Sequence, residues 1–173
     1  MLVCFTSSKD TLSMSDDMNE KLKKCLFSKE PSMREQTVSA ILFAWKLGYD
    51  IRDILNHMFS VLKVIIDVRM VHSLMLIESL MLKGFDSDLD FCSKVSNLLT
   101  QIYDNINEFE LDTDEKIEVC YHANFVAGIA SIMYKDVQFQ VTLDFPYFNY
   151  EESGFNDVYL GYERGKEKAM ELE

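Results

Sequence analysis

Asp50-Ile-Arg-Asp-Ile-Leu-Asn-His-Met-Phe-Ser-Val-Leu62 decides the fold class. Ile51, Ile54, Leu55, Met58, Phe59 and Leu62 recur at the three-and-four spacing that lays apolar side chains along one face of a helix. Asp50 is placed to cap that helix, and Asp53 falls in its first turn, where a carboxylate complements the helix dipole. Upstream, Ser32-Met-Arg-Glu35 has the form of a capping box with Pro31 just outside it. The helix it opens, with Val38, Ile41, Leu42 and Trp45 at helical period, should run to Leu47 and stop at Gly48.

Working outward, the apolar stripe broadens through Val64, Ile65 and Ile66 with no Gly or Pro. Asp67 can cap a new helix, so residues 63–67 read either as a turn or as continuous helix. Val68 to Lys83 places Val71, Leu74, Met75, Ile77, Met81 and Leu82 on a wide apolar face ended by Gly84. Asp86 or Ser87 then caps a helix to about Tyr103, buried through Leu89, Phe91, Cys92, Val95, Leu98, Leu99 and Ile102. An earlier amphipathic piece covers Asp16 to Phe27. Short connections favour antiparallel neighbours, so the segment reads as a bundle.

The charge divides the chain. Its 173 residues carry a net charge of -12, and residues 104–173, with sixteen acids and five bases, hold -11 of it. Here Asp112-Thr-Asp-Glu115 is another capping box, opening an apolar segment from Lys116 to Tyr134. That segment reads as helix, although Ile117-Glu-Val-Cys-Tyr121 could be extended. Val137-Gln-Phe-Gln-Val-Thr-Leu-Asp-Phe145 alternates strictly and reads as a strand stopped by Pro146. It needs a partner, from 117–121, from Leu2–Phe5 or from a second chain, which makes it a route to a homodimer. Residues 162–173 read as a short charged helix or a frayed end.

The expected fold is therefore mainly α. It is a bundle of five to six helices with a small acidic C-terminal appendage holding one or two β-strands. The divisions are a flexible N-terminus over 1–15, the bundle over 16–104, a helix and strand over 105–150, and an acidic aromatic tail over 151–173.

Several function classes fall away. So acidic a chain would be repelled by nucleic-acid phosphates, so direct nucleic-acid binding is not expected. No apolar run reaches the roughly 18 residues of a membrane span, and no secretion signal opens the chain. Cys4, Cys25, Cys92 and Cys120 lie too far apart for a disulfide framework, and the chain reads as soluble and intracellular. Gly161-Tyr-Glu-Arg-Gly165-Lys166 has three residues between glycines where a phosphate loop needs four, with no Ser or Thr after the Lys. Cys120 and His122 have no second pair at zinc spacing, and His57 and His72 read as surface or half-buried helix residues. Cys92 lies on a buried stripe, as a small core hydrophobe does. No catalytic residue, metal site or cofactor is indicated.

From Tyr134 to Tyr162 nine aromatics fall in 29 residues, interleaved with acids. They either cover the bundle or form a partner surface, since aromatic side chains are favoured interface anchors. On the second reading, Phe145, Tyr147, Phe148, Tyr150, Phe155 and Tyr159 are the partner-binding residues. Gln140-Val-Thr-Leu143-Asp-Phe-Pro-Tyr147 approaches a sliding-clamp-binding peptide, but Pro146 occupies its first aromatic position.

Trp45, Leu47-Gly48-Tyr49, Asp53-Ile54, Phe59, Val61 and Lys63 form an ungapped stretch that resembles the C-terminal helical collar of clamp-loader small subunits of the replication factor C type. The resemblance extends more weakly over about residues 18–102. It implies a helical domain that packs against counterparts in an assembly. The chain departs from the family in having no phosphate loop, a shorter stretch between Lys63 and Gly84, and no counterpart for 104–173. Only the assembly role could then carry over. The expected function is a non-enzymatic protein that binds another protein, possessing a clamp-loader-like assembly role in its most specific form. The alternative is an acidic DNA mimic or inhibitor of a basic nucleic-acid-binding protein.

Overall fold

A computed structural model describes residues 11–65, 67–85, 89–134 and 152–172, with side chains for all of them except Leu89 and residues 152–159. Among the described residues the chain is mainly helical. The helices are α1 (Asp16–Leu26), α2 (Pro31–Lys46), α3 (Arg52–Val61), α4 (Met70–Leu82), α5 (Leu89–Asn105), α6 (Thr113–Met133) and α7 (Glu152–Met170). The seven helices among the described residues exceed the expected five to six, because residues 152–170 form a full helix where at most a short one over 162–173 is expected.

Local chemistry explains most of the boundaries. Ser15 caps α1, its Oγ accepting from the Met18 N–H at 3.3 Å. Both strands of the Asp112–Glu115 capping box are present, at 3.1 and 2.9 Å. The box expected at Ser32–Glu35 is not formed, because α2 starts two residues earlier, with Glu30 at the cap position and Pro31 in its first turn. Proline suits that position, since its φ is already helical and the amide it lacks would have had no partner. Asp50 lies just before the cap position, which Ile51 takes, and its Oδ1 still accepts the Arg52 N–H at 3.0 Å. α2 and α4 end alike. Gly48 (φ 94°) and Gly84 (φ 70°) adopt the left-handed conformation. The following N–H groups of Tyr49 and Phe85 return to the Ala44 and Leu80 carbonyls at 3.1 and 2.9 Å.

The choice left open at 63–67 is settled: α3 ends at Val61 and α4 begins at Met70. The Asp67 carboxylate accepts from the Arg69 N–H at 2.9 Å and pairs with its guanidinium at 2.6 Å, fixing the turn. The Ile117–Tyr121 stretch is helix within α6, so it cannot partner a strand. The expected strand at 137–145, with the dimer it would offer, lies outside the described residues, as do the expected caps Asp86 and Ser87. The N-terminal segment, expected to be loose throughout, is tied down at Leu12. Its N–H donates to the Gly48 carbonyl and its carbonyl accepts from the Asp50 N–H, both at 2.9 Å.

The core runs through all of these helices. Ile54, Met58, Leu74, Ile77, Leu80, Val95, Leu99, Ile102, Val119 and Ile129 are fully buried, each such aliphatic side chain contributing roughly 1.5–3 kcal/mol relative to exposure. Edge-to-face rings link Trp45 to Phe85, Phe85 to Phe91 and Phe91 to Phe59 at 5.6, 5.1 and 6.0 Å, joining α2, α3 and α5. Met75, expected on the apolar face of α4, is instead 36% exposed.

α4 packs between α2 and α6, and α6 also carries α5 and α7. α6 and α7 are parallel, since Gly161 lies on the Tyr121 carbonyl and Gly165 on the Phe125 carbonyl. Gly128 of α6 meets the Tyr162 carbonyl from the other side, and a Cβ at any of the three would come inside 3.0 Å of backbone. The near phosphate loop at Gly161–Lys166 is thus a helix-packing surface.

Candidate functional site

Two surfaces and one internal cluster remain once the core is accounted for. The first surface is the outer face of α2. Arg34, Thr37, Val38 and Ile41 point inward and are buried. Helical period then turns Met33, Ala40, Phe43 and Leu47 outward, at spacings of seven, three and four. Phe43 is 62% and Leu47 53% exposed, and Leu12, beside Gly48 at the same end, is 48% exposed. Neighbouring exposed apolar groups in helical register are what a partner helix packs against.

The second surface is acidic. Asp104, Glu108, Glu110, Asp112, Asp114 and Glu118 are all exposed at the α5–α6 turn and along the start of α6, and Lys116 is the base among them. Asp112 and Asp114 also lie where the α6 dipole favours negative charge.

The internal cluster lies where α2, α4 and α6 meet. Arg34 is only 3% exposed. Its Nη1 donates to the Ser28 and Lys29 carbonyls at 2.8 and 3.1 Å, and its Nε donates to His72 Nδ1 at 3.1 Å. Burial lowers the Arg34 pKa, with Asp67 and Glu118 opposing. His72 is also held below its ordinary value, first by burial and then by the Arg34 charge. One and a half turns further along α4, Glu78 meets His122 of α6 at 2.6 Å. Burial pushes the Glu78 carboxyl up, against the His122 hydrogen bond. Ser73 Oγ, fully buried on the same helix, has no hydrogen-bond partner among the described residues.

Compared with models of protein families, with curated proteins and with solved structures, the chain matches none. The sites must speak for themselves. Among the described residues no group of three His, Cys, Asp or Glu side chains could hold a metal ion. No described helix is long and apolar enough to cross a membrane. Cys92 and Cys120 are buried, and burial pushes the Cys120 thiol up to about 12, so it stays protonated at neutral pH. A shallow pocket has Phe59, Phe85 and Phe91 as its floor and Arg52, Asn56, Asp90 and Lys94 around its rim. Lys94 is already committed to Asn56 at 2.7 Å and Asp90 at 2.5 Å.

The sequence-predicted partner residues Phe145, Tyr147, Phe148 and Tyr150 lie outside the described residues. Phe155 and Tyr159 fall on the α7 backbone, with their side chains likewise outside the description. Of the histidines, His57 is exposed and His72 half-buried, as sequence reading expects. Sequence reasoning missed the α2 face, because the period that turns Val38, Ile41 and Trp45 inward does not tell whether another element covers Phe43 and Leu47. It also missed the Arg34–His72 pair, whose members are 38 residues apart and carry no motif.

Proposed function

We propose that this chain is a non-enzymatic protein that acts by binding another protein, with the outer face of α2 as its contact. The observation that carries the reading is the exposure of Phe43 and Leu47, 62% and 53%, one turn apart on a helix whose other face is in the core. An isolated exposed apolar residue is ordinary, but two large ones in helical register with Ala40 and Met33 form a seam. A partner helix laid along that seam would bury the Phe43 ring and the Leu47 and Met33 side chains. In its most specific form this is a clamp-loader-like assembly contact, since Leu47 and Trp45 belong to the stretch that resembles the collar. The aromatic residues Phe145, Tyr147, Phe148, Tyr150, Phe155 and Tyr159 are the second candidate contact.

The test is the double variant Phe43→Asp with Leu47→Asp. Both positions are exposed, so the circular dichroism spectrum and melting temperature should stay close to those of the wild type. Partner capture from cells of the source organism should fall at least about tenfold, the loss expected when anchor residues are removed. Undiminished capture by the folded variant would refute the assignment of this face.

The acidic turn supports a second reading, in which exposed carboxylates occupy the basic groove of a nucleic-acid-binding protein. Ionic strength separates the two. Mimicry should weaken steeply between about 0.1 and 0.5 M salt, whereas an apolar seam should hold.

A further inference from the structure

The contact between α2 and α4 turns on one proton. Arg34 is cationic at every accessible pH, so its Nε–H can only donate. His72 Nδ1, 3.1 Å away, must therefore present a lone pair, which places the imidazole's single proton on Nε2. Arg34 cannot retreat, being 3% exposed and fastened by Nη1 to the Ser28 and Lys29 carbonyls just before α2.

The geometry points to a proton-operated latch: α2 is held on α4 by neutral His72, and protonation of His72 Nδ1 releases it. A proton on Nδ1 converts the hydrogen bond into two N–H groups facing each other, each on a cation, with the Arg34 side of the contact buried. The surroundings of His72 fix the direction. From α2, Arg34 opposes a charge on His72 and Glu35 favours it; from α6, His122 opposes it and Glu118 favours it. Glu118 and Glu35 are both exposed, so their support is screened by solvent, whereas Arg34 is in contact. Glu78, on α4 itself, is engaged with His122. Burial and Arg34 together hold the His72 pKa below 6.5. The unfolded chain therefore takes up a proton at His72 more readily than the folded one. The latch is intact above pH 6.5 and weakens as the pH falls from there through the lower, folded-state value. It stands whether or not α2 binds a partner.

Hydrogen–deuterium exchange of the full chain, corrected for intrinsic rates, reads the latch directly. Between about pH 7.5 and about pH 4, protection of the α2 amides should fall more than about tenfold relative to α5, in which no titrating His lies. In His72→Gln the side-chain carbonyl can still accept from Arg34 and does not titrate, so the difference between α2 and α5 should disappear. Parallel loss of α2 protection in wild type and variant, or no loss in the wild type, would overturn the latch. Should the variant fail to fold, the wild-type His72 ring is titrated by NMR. A midpoint below 6.5, with α2 amide shifts moving at the same midpoint, supports the latch. A midpoint at or above 6.5, or α2 shifts that ignore it, overturns it.

Discussion

Replacing Ser73 by Ala tests the packing of α4 at a single atom. Its hydroxyl is buried without a partner among the described residues. A buried polar group without a hydrogen bond costs about 1–3 kcal/mol, and Ala is also the better helix former. Ser73→Ala should therefore raise the stability measured by urea unfolding by about 1 kcal/mol. A loss of similar size would mean that the hydroxyl has a partner. Asp67 makes the opposite test, at the turn before α4. Hydrogen bonds from the Arg69 side chain are the main cause that holds its carboxyl below 3.8, with burial opposing. The folded state thus binds the proton less readily than the unfolded chain. The resulting stabilisation is fully present above pH 3.8 and is lost as the pH falls through the lower folded-state value. Asp67→Asn should lower stability at neutral pH by no more than about 1 kcal/mol, because the pair is partly exposed. Melting curves of variant and wild type should converge as the pH falls below both titrations.

At the scale of elements, α7 is the informative helix. Ala is normally about 1 kcal/mol better than Gly inside a helix. At Gly165 a Cβ would run into the Phe125 backbone, so Gly165→Ala should instead cost roughly 1–3 kcal/mol and shift α7 off α6. The sign of the change decides whether the two helices meet backbone to backbone. This contact also shows why α7 was hard to read from sequence. A helix that docks through Gly161, Gly165 and Ala169 buries small residues in its second half, where periodicity has no large apolar side chain to find, and its acids suggest a solvated tail. The helices with large apolar faces were legible, α3 through Ile54, Leu55, Met58 and Phe59 and α5 through Val95, Leu98, Leu99 and Ile102. Their ends were legible where one residue type is demanded, at Gly48, Gly84 and Asp112. The start of α2 was misplaced because Pro31 and Ser32 are both good helix openers, one inside the first turn and one before it.

For the whole molecule, function rests on which surface is left over when the core is complete, and that is a property of the fold rather than of any motif. The amphipathic period places Ile41 and Leu42 of α2 inward, but only the positions of α1 and α4 reveal that Phe43 and Leu47 remain uncovered among the described residues. Charge was the more legible feature, since the acids of 104–118 are adjacent in sequence and stay together at the α5–α6 turn. The pairing of Arg34 with His72 required the third dimension altogether. The central claim, that the outer face of α2 meets a partner, is tested most directly by photo-crosslinking in cells of the source organism. A photoreactive residue is placed in turn at Phe43, at Glu110 on the acidic turn and at the exposed Lys168 of α7. The account predicts one discrete crosslinked product from position 43 and none from position 168. A product from position 110 with nothing from position 43 would contradict it and shift the contact to the acidic end.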